Sequence, residues 1–401
     1  MEKNTYFHSV TLDAEKCKGC TNCMKNCPTE AIRIRAGKAY ILQERCIDCG
    51  ECLRRCPNHA KLAITDKLEM IKDFPYPIAL PAPSLYEQFD GYSREQILQA
   101  LLALGFAHAF EVAVGAERVS AETRRLHDRG FSRQPMISSA CPAVVRLITM
   151  RFPNLLEHVL LLQSPMEVAA ELARAEAIAL GIPAEDIGIF FITPCPAKMT
   201  SIKTPLEKEQ SAVTGAISMR DIHMPMVSIL EKNRDLHGQD LVHAGIKGIQ
   251  WARPSGEAIG AGIEHYLAVD GIDNVINILE KIEDEQIQGV DFIEALACSG
   301  GCVGGSLTVE NLYVSLARFK KHLQRAKKQV GDFEVPTELK TWKLEWSKSL
   351  EPKRILSLSE DLTKALEMQG MIDELVAELP GIDCGACGAP SCRALAEDVV
   401  L

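Results

Sequence analysis

With 401 residues, 47% of them hydrophobic and 24% charged, the chain has room for two or three domains and a sizeable core. Its net charge of −10 argues against general attraction to nucleic acid or to an anionic membrane. A polar start and the lack of any apolar run long enough to span a bilayer place it in a cytoplasm-like compartment, where fifteen cysteines are better explained by metal than by disulfides.

Residues 1–66 contain an internal repeat. Cys17, Cys20, Cys23 and Cys27, closed by Pro28, recur as Cys46, Cys49, Cys52 and Cys56, closed by Pro57. This is the spacing of bacterial two-cluster ferredoxins, in which the fourth cysteine of each run crosses to the other cluster. It assigns Cys17, Cys20, Cys23 and Cys56 to one [4Fe–4S] cluster and Cys46, Cys49, Cys52 and Cys27 to a second. Ile32–Ile34 and Tyr40–Leu42, around Ala36-Gly37-Lys38, read as a hairpin between the halves. Zinc knuckles are the alternative, but zinc sites use paired cysteines or Cys/His sets, not this doubled run. Two adjacent clusters in a small α+β domain make an electron relay.

Lys67 to Tyr76 reads as a short helical linker. From Pro77 to about residue 330, apolar runs alternate with amphipathic stretches, which predicts an α/β domain of mostly parallel sheets flanked by helices. Strands are expected at Pro77–Leu80, Phe110–Val114, Pro135–Ser139, His158–Leu162, Asp186–Thr193 and Asp291–Ala297. Helices are expected at Arg94–Leu104, Glu117–Asp128, Pro142–Phe152, Pro165–Leu180 and Asn274–Glu285, with a long one running to Val330. The basic residues Arg318, Lys320, Lys321, Arg325, Lys327 and Lys328 on that last helix read as a solvated face.

Cys141, Cys195 and Cys298 each follow the end of an expected strand, where open α/β sheets gather ligands. Cys298 and Cys302 lie among Gly300, Gly301, Gly304 and Gly305. Glycines allow tight turns, and successive free N–H groups form an anion-binding nest suited to cluster sulfides. Cys141 and Cys195 taken singly read as buried core thiols. Taken with the Cys298/Cys302 pair and the flanking prolines, they complete a set of four ligands.

Residues 331–370 read as a charged connector, including Trp342 and Trp346, leading into a helix at about Ser359–Leu379 that Gly370 interrupts. In residues 371–401 the pattern Cys384-x2-Cys387-x4-Cys392 resembles the start of a small [4Fe–4S] domain whose fourth cysteine lies further on. The expectation is a truncated chain, the alternative a complete three-cysteine or zinc site.

Three loops resemble those of the [FeFe]-hydrogenase family: Ser138-Ser139-Ala140-Cys141-Pro142, Thr193-Pro194-Cys195-Pro196-Ala197-Lys198, and Glu294 to Gly305. Ala82-Pro83-Ser84 resembles the family's Ala-Pro-Ser/Ala element, and the tandem ferredoxin segment is typical. The resemblance implies an H-cluster, in which Cys141, Cys195, Cys298 and Cys302 hold a [4Fe–4S] cubane. It further implies that Cys302 bridges to a diiron unit carrying CO, cyanide and an azadithiolate. Lys198 and Ser84 are then donors to cyanide, and Lys198 is otherwise a solvated lysine. The implied partners are H2 and protons, a redox partner protein and hydrogenase maturation proteins, with no nucleic acid and no membrane; homo-oligomer formation stays open.

Departures from the family pattern are informative. Its proton-relay cysteine is Ala140 here, and a methyl group passes no proton. The onward relay positions align with Glu122 or Thr123, Leu126 and Leu160. The glutamate after the lysine is Ser201, and two loop methionines are Thr193 and Leu296. Glu157 and His158 are candidates for another proton route, or surface residues. This pattern resembles the sensory branch of the family. It implies slow, reversible H2 oxidation and proton reduction used for H2 or redox sensing. The rival is a hydrogenase-like iron–sulfur protein without the diiron subsite, acting in electron transfer or cluster assembly.

Overall fold

The structure is a computed structural model, and it describes residues 7–131, 133–233, 240–326, 342–353 and 358–401. At the N-terminal end, β1 (Val10–Leu12) pairs antiparallel with β4 (Lys61–Ala63), and β2 (Ile32–Arg35) with β3 (Lys38–Ile41). The β2–β3 turn falls on Ala36 and Gly37, both at positive φ, as the hairpin reading expects. The β1–β4 pair joins the two ends of the cysteine-rich domain.

The central domain contains two four-stranded parallel sheets. One has the order β10 (Gly215–Ser218), β9 (Ile187–Thr193), β5 (Tyr76–Pro81), β6 (His108–Ala109). The other has the order β11 (Tyr266–Asp270), β12 (Phe292–Leu296), β7 (Met136–Ser138), β8 (Val159–Leu160). Strand β9, Ile-Gly-Ile-Phe-Phe-Ile-Thr, is buried along its whole length. A continuous apolar run is what a strand covered on both faces requires. Ile78, Leu80, Phe190 and Ile217 sit in the core around the first sheet. Ile137, Leu147, Val275 and Ile293 sit in the core around the second.

Most expected elements are present with ends shifted by one to three residues. The exception is Phe110–Val114. Strand β6 stops at Ala109, and a helix begins at Val112 and runs to Asp128. Val112 to Ala116 are buried all round the helix's first turn, Val119 continues the buried side, and the segment packs closely on the helix Pro165–Ala179. A Cβ on Gly115 would lie 2.3 Å from the Pro165 carbonyl oxygen. A short apolar run fits a buried strand or a buried helix equally well by periodicity, and here tertiary packing decides for the helix.

The described part of the connector is packed rather than loose. Leu344 is buried, Trp346 Nε1 donates to the Leu162 carbonyl (2.7 Å), and Lys353 N donates to the Thr149 carbonyl (2.8 Å). The helix Leu362–Glu378 passes through Gly370 without a break. On the helix Leu312–Ala326, Arg318 pairs with Glu310 (2.8 Å), while Lys320 and Lys321 are exposed. Lys327 and Lys328 lie outside the described residues. Among the described residues no helix is long and apolar enough to cross a membrane.

Candidate metal centre

Two small cavities in the N-terminal domain separate its eight cysteines into the groups that the spacing assigns. Cys17, Cys20, Cys23 and Cys56 line one, and Cys27, Cys46, Cys49 and Cys52 line the other. Backbone amides already point at sulfur: Ala31 N donates to Cys27 Sγ (3.2 Å), Ala60 N to Cys56 Sγ (3.2 Å) and Ala39 N to Cys17 Sγ (3.4 Å). Burial pushes the thiols of Cys23, Cys46 and Cys49 up, and that of Cys52 up to about 12. Thiols held this way stay protonated unless a cation takes the proton's place, which is what iron supplies.

In the central domain the strand ends of both sheets meet at one cavity. Cys141, Cys195, Cys298 and Cys302 all line it, with Ala82, Pro83, Ala140 and Lys198. Local chemistry accounts for the Cys-Pro pairs. Cys141 and Cys195 are the N-cap residues of the helices Pro142–Arg151 and Pro196–Lys203, each with proline at its first position. Proline is pre-shaped for that position, and the positive helix end favours a thiolate beside it. Thr193, in place of methionine, donates its hydroxyl to the Cys195 carbonyl (2.9 Å) and accepts from Cys195 N (3.1 Å).

The third loop needs its glycines. Gly300 and Gly301 have φ of 76° and 69°. A Cβ on Gly305 would lie 2.4 Å from the Pro194 carbonyl oxygen, so only glycine lets this loop approach the Cys195 loop. Burial together with the neighbouring thiols pushes Cys141 and Cys302 up, and Cys195 up to about 12. Four cysteines around one apolar cavity, beside a lysine, fit an iron–sulfur cubane carrying an attached anionic group. Ser84, next to the cavity-lining Pro83, is fully buried, and its hydroxyl has no hydrogen-bond partner among the described residues. Such an orphaned donor fits an unpaired acceptor that the protein itself does not provide.

Glu257 and Glu294 are a buried carboxyl pair on the wall of the same cavity. Ser138 donates to Glu257 Oε2 (2.6 Å) and accepts from Ala140 N (3.2 Å). Glu294 Oε2 accepts from the amides of Glu257 and Ala258, both at 3.1 Å. Burial raises both carboxyls above the ordinary range, and the Glu294 charge adds to the effect on Glu257. The loop motif pointed to Glu294, but no local pattern marks Glu257, in the first turn of the short helix Gly256–Ala261. Glu157 and His158 are elsewhere: Glu157 pairs with Arg133 (2.9 Å), and His158 Nδ1 is hydrogen-bonded to the Pro135 carbonyl (3.0 Å). Of the onward relay positions, Leu160 and Thr123 are buried; Ser201, three residues after Lys198, is hydrogen-bonded to Arg146 (3.4 Å).

The second cysteine site of the N-terminal domain abuts the central cavity. Gly50 has φ of 77°, and a Cβ there would lie 2.2 Å from Ser306 Oγ. Arg54 Nη2 donates to the Gly304 carbonyl (2.9 Å). Asp48 accepts from Val10 N (2.9 Å) and from the hydroxyl of Thr200 (2.8 Å), on the helix that also carries Lys198. Cys49 packs in the same core as Cys141 and Cys195. Sequence reasoning missed Arg54 and Asp48, because their partners lie far along the chain. Cys384, Cys387 and Cys392 lie on a separate loop and line none of these cavities.

The family described as iron-only hydrogenase large subunit, C-terminal domain, matches residues 76–233 and 239–306, more than half of the chain. A 4Fe-4S dicluster domain matches residues 9–57, and an Fe-S cluster segment matches residues 379–401. The periplasmic [Fe] hydrogenase large subunit of Nitratidesulfovibrio vulgaris is 31% identical over 213 residues, which are 48% of this chain and 51% of that protein. An NADP-reducing hydrogenase subunit of Solidesulfovibrio fructosivorans is 23% identical over 351 residues, 72% of this chain and 55% of that protein. The chain thus spans about half the length of these curated relatives. Among solved structures, a variant [FeFe]-hydrogenase from Chlamydomonas reinhardtii aligns with a TM-score of 0.48 and 14% identity, over 69% of this chain and 91% of that one.

Proposed function

Given that this chain belongs to the family of the iron-only hydrogenase large subunit, C-terminal domain, we propose that it is a sensory-type [FeFe]-hydrogenase. It interconverts H2 with protons and electrons slowly, and the redox state of its centre is the signal. One observation carries this reading: four cysteines from three loops, with Lys198 and Pro83, line a single cavity that has Ala140 where the relay thiol belongs.

Cys141, Cys195, Cys298 and Cys302 would hold a cubane together with its attached diiron group. That group, when bound, supplies the heterolytic cleavage of H2. The remaining roles fall to the chain. The Lys198 ammonium offers three donors to an anionic cyanide, and the Ser84 hydroxyl offers another. Val112, Met166, Phe191 and Leu296 line the cavity with apolar surface and keep water out. Ala140 cannot accept a proton. The Glu257–Glu294 pair can hold one on the cavity wall, because burial keeps a carboxyl protonated at higher pH than usual. Losing a positioned proton carrier costs roughly 10²–10⁴-fold in rate, which is the physical basis for slow turnover. Electrons pass between the cavity and the ferredoxin domain across the contact made by Gly50, Arg54 and Cys49.

The test is H/D exchange by protein given the diiron group. Slow but measurable exchange is expected. Protein with all [4Fe–4S] sites filled and no exchange would instead be a hydrogenase-like iron–sulfur protein of electron transfer or cluster assembly. Turnover at the rate of an ordinary catabolic enzyme would remove the sensory role and leave the chemistry.

A further inference from the structure

The C-terminal cysteine loop is not a free appendage. It is clamped onto the ferredoxin domain at the half that carries the first cysteine site. Ile34 N on β2 donates to the Gly388 carbonyl (2.8 Å), and Arg35 Nη1 donates to the same oxygen (3.1 Å). Gly388 has φ of 82°, and a Cβ there would lie 2.2 Å from the Ile34 carbonyl oxygen. On the other side of the loop, a Cβ on Gly385 would lie 2.8 Å from Met24 Cε. At Gly388, which meets backbone, contact this close is possible only because the residue is glycine.

The helix that follows, Cys392–Val400, adds charge. Asp398 accepts from Arg33 Nε (2.7 Å) and Arg35 Nη2 (2.6 Å), and Glu397 accepts from Arg45 Nη2 (2.9 Å). The Arg33 side chain is 2% exposed and that of Arg45 10%. The Arg33–Asp398 and Arg45–Glu397 pairs are desolvated and directional and have far more to lose on separation than an exposed contact such as that of Arg35. Within the loop, Cys392 N donates to Asp383 Oδ1 (2.6 Å), which ties the third cysteine back to the first two.

Placement is what gives this contact a role. Ile34 lines the cavity of Cys17, Cys20, Cys23 and Cys56, and Met24 directly follows Cys23. The first ferredoxin site faces the C-terminal loop, as the second faces the central cavity. We propose that the C-terminal loop is a docked outer relay. A [4Fe–4S] cluster held by Cys384, Cys387, Cys392 and one further ligand exchanges electrons directly with the first ferredoxin cluster. One electron leaves the reduced ferredoxin cluster, in its 1+ state, and converts the loop cluster from 2+ to 1+. The reductant is H2 by way of the central cavity, or dithionite in a test. The ferredoxin domain is then an internal wire whose outer terminal is the C-terminal segment.

This inference rests on the iron–sulfur sites alone, so it is tested on the full chain without the diiron group, and failure leaves the hydrogenase reading intact. Reduced with dithionite, the protein should show an electron paramagnetic resonance signal of the loop cluster broadened by coupling to the first ferredoxin cluster. The Cys384→Ser variant should lose that contribution and one cluster's worth of iron. In Gly388→Val the side chain meets the Ile34 carbonyl, and the signal should sharpen with iron content unchanged. The amide of Ile34 should then exchange with deuterium at least tenfold faster. The double variant Glu397→Gln/Asp398→Asn leaves the loop untouched and should have the same effect in smaller measure. An uncoupled loop signal in the unaltered chain, an Ile34 amide that exchanges freely there, or failure of the loop to take up a cluster would each overturn the proposal.

Discussion

In the ferredoxin domain each cysteine run is a single short stretch, Cys17 to Cys27 and Cys46 to Cys56, and two antiparallel strand pairs hold the runs together. In the central domain the four cysteines extend from Cys141 to Cys302, on loops leaving two separate parallel sheets. The first kind of site depends on spacing and little else. The second depends on every packed residue that holds the two sheets in register. The buried carboxyls differ in the same way. Asp48, in the ferredoxin domain, is satisfied by Val10 N and Thr200. Glu87, in the turn after Ser84, is fully buried with no side-chain hydrogen-bond partner among the described residues. The ferredoxin sites take all their cysteines from short local runs, even though the second is braced by Thr200 and Gly304 of the central domain, while the central cavity depends on its whole surrounding core.

Phe190→Ala, in the middle of β9, should break that contrast most severely. Emptying a fully buried phenylalanine site costs about 3–5 kcal/mol. Calorimetry should show loss of the central domain's transition while the visible absorption of the ferredoxin clusters persists. Concerted loss of both would mean that the two domains fold as one unit.

Glu257→Gln should leave the cavity's shape and its infrared bands unchanged and slow H2 turnover by roughly 10²-fold. An unchanged rate would move the proton route elsewhere.

Burial raises the Glu87 carboxyl from its usual 4.5 to about 8. Between those values the folded chain binds more protons than the unfolded chain, so stability falls as pH rises through the window. Glu87→Gln removes this slope. Its stability advantage should be smallest below pH 4.5 and should widen towards pH 8, by at most about 1.4 kcal/mol per pH unit. Urea unfolding at pH 5 and pH 8 checks this, and parallel curves for the two proteins would contradict it.

The smallest effect is expected from Ala140→Cys. A thiol there stands at the head of a relay whose onward positions include the buried, apolar Leu160. The gain should therefore stay under about tenfold, below the range for a working proton carrier. A larger gain in the H/D exchange rate would show that the rest of the route is intact.

How much was legible follows the same division. The ferredoxin grouping and the hairpin at Ala36-Gly37 could be read directly, because their partners are close in sequence. The three central cysteine loops could be read from strand ends and Cys-Pro pairs, since those signals are local even when the site is not. What could not be read depends on distant chain segments. Phe110–Val114 has the composition of a strand, but Val112 onward is helical where it meets the helix Pro165–Ala179. Glu257 gains its partner Ser138 only through the fold, and Arg33 and Asp398 meet across 365 positions. The edge strands β10 and β11 were not read: β11 is fully buried only at Val269, and β10, Gly-Ala-Ile-Ser, has one large apolar residue, so neither shows the apolar run of β9.

Infrared spectroscopy of the protein, supplied with a synthetic diiron group and recorded first under argon and then under H2, tests the central claim most directly. CO and cyanide bands that appear on loading and shift slowly under H2 are the predicted result. Their absence from protein whose cubane has been shown to be in place would contradict the account, and would make Lys198 a bystander in an iron–sulfur protein of another kind.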